Sequence, residues 1–142
     1  MARDRLDTLL RLRRMAVQDR IRDLAAAIRA EEQACRTQAA CTEAMARETA
    51  EARRLADHDA ALAGFMPWRA RATRALLDAE TQVTNAGAAT HTARAQLGEA
   101  RGAMRAVELA VDRRKADADL AEQRSAQHAF DDATRRSGGG AR

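Results

Sequence analysis

The side chains that could perform catalysis or bind a metal are few and lie far apart along the sequence. The three histidines are His58, His91 and His128. His58 lies between two aspartates and His128 precedes an aspartate pair, but an exposed position on a helix explains each better than a metal site does. The sequence contains no glycine-rich phosphate loop and no nucleophile motif. We therefore expect no catalytic, cofactor-binding or metal-binding residues, and no enzyme activity.

The two cysteines, Cys35 and Cys41, are six residues apart on one predicted helix. Six residues turn an α-helix through about 240°, so the two thiols cannot form a disulfide within that helix. Free cysteine commonly behaves as a small apolar residue. We expect both thiols to be reduced and buried.

Two groups of residues have the chemistry to bind another protein. Phe65, Met66 and Trp68 hold three of the eight phenylalanine, tryptophan and methionine residues. They could form a hydrophobic plug at the end of a hairpin, an exposed anchor for a partner, or both, since aromatic residues are common at interface hot spots.

The second group is basic. Residues 1–30 carry eight arginines and four aspartates, and Arg113, Arg114 and Lys115 lie across the predicted hairpin from Val17. This charge fits either a solvated helix face or a basic end that enters an acidic or polar cavity.

The elements that must position these residues are α-helices. Hydrophobic residues make up 46% of the chain, but 37 of those 65 residues are alanine, and valine and isoleucine total only six. Alanine, arginine, glutamate and leucine favour helix, whereas sheets need β-branched and aromatic residues. The composition predicts an all-α protein with long helices in a coiled coil.

The predicted domain is one antiparallel hairpin over residues 1–136. Apolar and small residues recur at three- and four-residue steps without proline or glycine, which predicts a first helix at about 3–63. Gly64 and Pro67 then predict a turn at 64–68.

Heptads beyond this turn predict a second helix from about 68 to 136, and the glycine-rich residues 137–142 predict a disordered tail. Folding about residue 66 makes the numbers of facing residues add to about 132. Cys35 then faces Leu97, and Thr42 faces Thr90.

The charge pattern and hydropathy limit the class of protein. The net charge is +4, and arginine, which alternates with acids, supplies 24 of the 25 basic residues. Alternating signs indicate a solvated helix surface with weak ion pairs. No apolar run approaches the roughly 20 residues of a membrane span, and the first residues do not form a signal segment. We expect a cytoplasmic protein without a nucleic-acid partner or direct membrane insertion.

Four segments carry a family resemblance. They are Leu6-x-x-Leu9-Leu10-Arg11-Leu12-Arg13, the turn segment with Trp68, Ala106-Val107-Glu108-Leu109-x-x-Asp112-Arg113-Arg114, and Glu122-Gln123-x(7)-Asp131-Asp132-Ala133-x-x-Arg136. On these residues the chain resembles the stalk proteins of type III secretion, the SctO, YscO and HrpO family, and their flagellar relative FliJ. The resemblance covers nearly the whole chain, and its last segment is the most specific.

The resemblance implies a non-catalytic stalk that links a hexameric secretion ATPase to the cytoplasmic domain of the export gate and couples ATP hydrolysis to protein export. Some relatives also bind export chaperones. It implies a cytoplasmic location, peripheral to the inner-membrane export apparatus. The implied ATPase-binding residues are Arg11, Arg13, Arg14, Arg113 and Arg114, and the implied export-gate-binding residues are Phe65, Trp68 and Leu76.

The residues by themselves leave two other functions open. One is a generic cytoplasmic coiled-coil adaptor or scaffold. The other is a basic helical protein that binds nucleic acid, although the arginines form no continuous stripe and aromatic residues for stacking are lacking.

Overall fold

The protein consists of two long α-helices that pack against each other. The computed structural model describes the backbone of residues 2–55 and 59–138, and the side chains of residues 5–55, 60 and 63–136. Helix α1 spans Ala2–Arg54 and helix α2 spans Asp59–Gly138. These described ranges contain no β-strand. The prediction of an all-α antiparallel hairpin is therefore confirmed.

Local side-chain interactions support the exposed helix faces. Among the described residues, ion pairs join residues three apart in one helix, with N–O distances of 3.1 to 3.4 Å, as in Arg20–Asp23, Arg22–Asp19, Arg54–Glu51 and Arg105–Glu108. Each is worth only about 0.3 kcal/mol, because the partners remain in contact with water. The hairpin therefore depends mainly on the seam between α1 and α2.

The turn predicted at 64–68 is wrong, because all five residues belong to α2. Helix α1 ends at Arg54 instead of near residue 63. Its last turn carries Arg53 and Arg54, whose positive charge is favourable at a helix C-terminus. The amide of Leu55 still donates to the Glu51 carbonyl at 3.1 Å, and residues 56–58 lie outside the described residues.

Gly64 and Pro67 do not stop the helix, for separate reasons. Gly64 does not adopt a positive φ, so its backbone suits a helix. Pro67 is the ninth residue of α2, inside the helix, and lacks the N–H for one backbone hydrogen bond. That local cost, about 3 kcal/mol, can be offset by packing elsewhere.

The predicted register of the hairpin is also wrong, by about two heptads. Arg20 Nη1 donates to Gln96 Oε1 at 3.1 Å, and a Cβ built on Gly87 would lie 3.5 Å from Glu31 Oε1. The residue numbers of these two pairs add to 116 and 118, not to about 132. A shift of two heptads keeps most seam positions in the seam, so the heptad pattern fits both registers.

The observed register changes which side chains meet. Because the numbers of facing residues add to 116–118, Leu97 lies level with residues 19–21 and not with Cys35. Cys35 is exposed, so its predicted burial is wrong, while Cys41 is half-buried. Both thiols are free, as predicted.

The seam of the hairpin is thin. Its buried apolar residues are Val17, Ala34, Ala79, Ala93 and Leu97, and three of the five are alanine. Each methyl-sized group contributes only about 0.8 kcal/mol on burial. Thr90 is buried among them, whereas Thr42, its predicted partner, is exposed and donates to the Gln38 carbonyl at 3.0 Å.

Backbone contacts divide the chain into two compact units, and each contains part of both helices. The terminal unit comprises Met1–Val17 and Ala100–Arg142, and the hairpin unit comprises Gln18–Glu99. Helix α2 ends at Gly138, two residues beyond the predicted end, and the rest of the predicted tail, residues 139–142, lies outside the described residues.

Candidate protein-binding surfaces

The aromatic residues near the helix break form a stacked pair. The ring centroids of Phe65 and Trp68 are 5.7 Å apart, with an angle of 24° between the ring planes. Residues three apart in a helix share a face, so the pair exists because α2 continues through Pro67. A turn at 64–68 would not impose this spacing.

This pair lines a shallow, open groove in the hairpin unit. Helix α1 contributes Glu48, Glu51, Ala52 and Leu55, and helix α2 contributes Gly64, Phe65 and Trp68. Phe65 and Trp68 are half-buried, while Met66 beside them is exposed. The two rings therefore line the space between the helices and remain partly exposed, and their role as an anchor for a partner stays a prediction.

Leu76 does not line this groove. It is half-buried, and it lies roughly 16 Å along the helix axis from Phe65, at ~1.5 Å per residue. The structure thus brings Phe65 and Trp68 together and leaves the third implied export-gate residue apart from them.

The five implied ATPase-binding arginines all belong to the terminal unit. Arg11, Arg13 and Arg14 are exposed on α1, and Arg113 and Arg114 are exposed on α2. Arg114 lines a groove of the terminal unit whose other residues are Leu6, Asp7, Val111, Lys115, Ala118, Asp119 and Glu122.

The net charge of the protein is concentrated in the terminal unit. That unit contains 14 basic and 9 acidic residues, a balance of +5, whereas the hairpin unit contains 11 basic and 12 acidic residues, a balance of −1. Of the basic segment 1–30, residues 1–17 belong to this unit, whereas residues 18–30, with Arg20, Arg22 and Arg29, belong to the hairpin unit.

Sequence reasoning missed an exposed apolar stripe in this same unit. On α1, Leu6 and Leu10 are half-buried towards α2, whereas Leu9, Leu12 and Met15 are exposed. We call the last three the outer stripe. A usable signal was present in the sequence, because leucines at 6, 9, 10 and 12 cannot all lie on one face of a helix.

The described residues offer no sign of a metal site or a membrane span. They contain no group of three or more His, Cys, Asp and Glu residues that could hold a metal ion. His91 and His128 are exposed, and His58 lies outside the described residues. No helix among these residues is long and apolar enough to cross a membrane.

Comparison with known proteins identifies no family for this chain. No model of a protein family, no curated protein and no solved structure matches this chain.

Proposed function

We propose that this protein is the non-catalytic stalk of a type III secretion system. In this role it links a hexameric secretion ATPase to the cytoplasmic domain of the export gate, and it couples ATP hydrolysis by the ATPase to protein export. It acts in the cytoplasm, beside the inner-membrane export apparatus. Export chaperones are further candidate partners.

The observation that carries the proposal is the division of binding chemistry between two units of one helical hairpin. The terminal unit has a balance of +5 and contains the arginines of the resembling segments. The hairpin unit is nearly neutral and carries the stacked pair Phe65 and Trp68 beside the helix break. Two chemically different surfaces suit a protein that connects two different partners.

Arg11, Arg13 and Arg14 are the primary candidates for contact with the ATPase. They are exposed, and no ion pair joins them to another described residue. Guanidinium groups in this state can form bidentate hydrogen bonds with carboxylates of a partner without first breaking an internal pair. Arg113 and Arg114 extend this charge onto α2.

Co-sedimentation with a hexameric secretion ATPase from the same organism tests the proposal. We expect the wild type to bind and promote hexamer assembly, and a variant with Arg11, Arg13 and Arg14 changed to Glu to lose binding. The control changes Arg69, Arg71 and Arg74 to Glu, because these three arginines of the hairpin unit are also exposed. The control should bind like the wild type.

Failure of the wild type to bind would remove the ATPase link and leave a generic coiled-coil adaptor or scaffold. Equal loss of binding in both triple variants would show a general effect of net charge and contradict the assignment to the terminal unit.

Binding of the export-gate domain tests the second surface. We expect Phe65→Ala with Trp68→Ala to weaken it at least about tenfold, as truncation of aromatic hot spots commonly does. Leu77→Ala is the control, since Leu77 is an exposed apolar residue of the same unit. Unchanged affinity in the aromatic variant would exclude this groove as the gate-binding surface.

Nucleic-acid binding is the competing function of a basic helical protein. Such binding would weaken steeply with salt, with a logarithmic slope of about 0.9 per neutralised phosphate on duplex DNA. Titration of fluorescent duplex DNA at two salt concentrations distinguishes this function from the stalk.

A further inference from the structure

The first helix of the terminal unit carries an apolar surface that α2 does not cover. Leu6 and Leu10 are half-buried towards α2, whereas the outer stripe of Leu9, Leu12 and Met15 is exposed. The stripe therefore lies on a side of α1 that faces away from α2. Several exposed apolar residues in succession indicate an interaction surface.

The outer stripe is too wide and too short for a partner helix. It advances in steps of three residues, and each step shifts the position around the helix axis by about 60°, so Leu9 and Met15 lie about 120° apart. A partner helix instead follows a narrow seam at alternating three- and four-residue steps. In the sequence those steps lead from Leu12 to Ala16 and then to Asp19, where an apolar seam ends. A flat, fluid surface fits the stripe better than a second helix does.

Arginines border the outer stripe. Helical geometry places Arg11 and Arg13 about 100° to either side of Leu12, and it places Arg5 within about 20° of Leu12. Arg5 also lines one shallow, open concavity with Leu9 and Leu12. The apolar side chains therefore share their surface with three guanidinium groups.

The arginines around the stripe differ from the next arginines in the sequence. Those around the stripe are exposed and form no ion pair with another described residue. By contrast, Arg20 and Arg22 each pair with an aspartate three residues away at 3.1 Å. Guanidinium groups without an internal pair can bind phosphate oxygens at no cost in broken ion pairs.

The nearby carboxylates lie on another side of the helix. Asp7 is the only acidic residue in the segment 5–17, and helical geometry places it about 140° from Leu12. Asp7 lines the groove of the terminal unit together with Asp119 and Glu122 of α2. Over this segment, the side of α1 that carries the stripe therefore presents arginines without carboxylates.

We propose that the outer stripe binds peripherally to the surface of an anionic phospholipid bilayer. The three apolar side chains enter the boundary between headgroups and acyl chains, and the bordering arginines bind lipid phosphates. A basic amphipathic helix is a common structure for such a contact, which requires no membrane-spanning helix. A bilayer fits better than an acidic protein, because it accepts a wide apolar stripe and offers phosphates on every side of it.

This membrane contact does not rest on the proposed stalk function, and its test contains no ATPase. Arg11 and Arg13 are also proposed contacts to the ATPase, so a lipid-bound copy hides part of its ATPase-binding surface. Lipid binding should be reversible, because three apolar side chains anchor a helix only weakly. Failure of lipid binding would leave the result of the ATPase experiment unaffected.

Flotation of the full chain with lipid vesicles is the first test. At low salt, we expect binding to vesicles of phosphatidylglycerol and phosphatidylcholine in equal parts, and little binding to phosphatidylcholine alone. Absence of wild-type binding to the anionic vesicles would overturn the proposal and favour an acidic protein as the partner of the stripe. Equal binding to both kinds of vesicle would also overturn it, because the arginines would then contribute nothing.

Leu12→Ser tests the apolar part of the contact. It should lower the vesicle partition coefficient roughly tenfold, because a large apolar side chain no longer leaves water on binding. Leu77→Ser is the matched control and should bind like the wild type, since Leu77 of the hairpin unit is 58% exposed and Leu12 is 56% exposed. Far-ultraviolet circular dichroism checks that both variants remain helical. A folded Leu12→Ser variant with the affinity of the wild type would overturn the proposal.

Arg11→Glu with Arg13→Glu tests the charged borders. This double variant should bind anionic vesicles at least about tenfold more weakly, because each arginine near the lipid surface adds to the attraction. Arg69→Glu with Arg71→Glu makes the same change in net charge on exposed residues of the hairpin unit and should retain binding. Equal loss in both double variants would show a general effect of net charge and overturn the assignment to the outer stripe.

Tryptophan fluorescence then locates the stripe relative to the lipid. Trp68 is the single native tryptophan, so Trp68→Phe provides a background without tryptophan emission. In that background, the emission of Leu12→Trp should shift to shorter wavelength with anionic vesicles and be quenched by brominated lipids, because the indole leaves water. Leu77→Trp is the control and should show neither change. Unchanged emission of a vesicle-bound Leu12→Trp variant would overturn the proposal.

Discussion

Thr90 is the most deeply buried of the described side chains, at 1% exposure, and its hydroxyl has no hydrogen-bond partner among the described residues. Other threonines of these helices donate to the carbonyl four residues earlier, as Thr84 does to Glu80 at 3.1 Å. A buried hydroxyl without a partner costs about 1–3 kcal/mol. Thr90 therefore fills space in the seam and forgoes the hydrogen bond that its type normally makes.

We expect Thr90→Val to raise the free energy of unfolding by about 1 kcal/mol, because valine keeps the shape and removes the unpaired hydroxyl. Urea unfolding at one fixed protein concentration measures this. Thr84→Val is the control and should show no gain, because Thr84 is exposed and bonded. A loss of stability on Thr90→Val would contradict the absence of a partner.

The exposed glycines of α2 also lower the local stability of the helix. A Cβ at Gly102 would meet no atom within 4 Å, and Gly102 has no positive φ. Gly102→Ala should therefore raise the free energy of unfolding by up to about 1 kcal/mol, through helix propensity and a less flexible unfolded chain.

Thermal and urea unfolding of Gly102→Ala test this expectation. The reciprocal change, Ala106→Gly, alters an exposed alanine one turn later and should lower stability by a similar amount. A loss of stability in Gly102→Ala would contradict this expectation, because it would require a positive φ or a close contact at Gly102.

At the scale of the element, Pro67 distinguishes the observed helix α2 from the turn that the sequence predicted at 64–68. Within α2 it removes a backbone hydrogen bond and crowds the preceding turn. As the first residue of a new helix after a turn at 64–68, it would do neither. The effect of replacing it therefore reports which structure the segment adopts.

We expect Pro67→Ala to raise the free energy of unfolding by up to about 3 kcal/mol, the usual cost of proline inside a helix. Pro67→Ser should give most of the same gain, because loss of the ring is responsible. Urea unfolding monitored by circular dichroism measures both. Neutral or destabilising effects would favour the turn that the sequence predicted.

Helix α1 ends beside basic side chains, which stabilise a helix C-terminus. Arg53 and Arg54 occupy the last turn, and Arg54 also pairs with Glu51 at 3.2 Å. Such interactions are weak individually, at about 0.3–1 kcal/mol, but they act where the chain must leave the helix. Gly64 and Pro67 were stronger sequence signals for a stop, yet they mark a weak segment inside a helix and not its end.

At the scale of the whole molecule, the register decides which residues of α1 and α2 meet. The side chains of Arg20 and Gln96 touch at 3.1 Å. After Arg20→Cys and Gln96→Cys, with both native cysteines replaced by alanine, we expect a short bis-maleimide cross-linker to join the two introduced thiols within one chain. Denaturing electrophoresis and intact mass measure the product.

The control pair for the register is Arg20→Cys with Asp112→Cys, whose numbers add to the 132 of the predicted fold. It should give little intramolecular product. Efficient cross-linking of the control, with none at positions 20 and 96, would restore the predicted register and contradict the observed one.

The whole-molecule charge of +4 is unevenly distributed. The terminal unit has a balance of +5 and the hairpin unit −1, so association through the terminal unit should be sensitive to salt. Within that unit the basic residues 5–17 and the acidic residues 116–134 are separate along the sequence.

The sequence by itself determined the class of the fold, because helix propensity and heptad spacing are local properties. Alanine-rich segments without β-branched runs form helices regardless of what they contact. Local properties also identified Phe65 with Trp68 and the basic residues 1–30 as candidate binding surfaces, whereas the roles of Arg11, Arg13 and Arg14 came from the family resemblance. All these roles remain proposals.

Only the tertiary structure decided where the hairpin turns and which residues meet across the seam. A heptad pattern is nearly unchanged by a shift of seven or fourteen residues, so it cannot choose among registers that differ by whole heptads. That choice depends on the difference in packing between complete alignments, such as Leu97 level with residues 19–21 or with Cys35. The register also decides which part of α2 is covered by α1, and every residue from 112 to 136 is exposed.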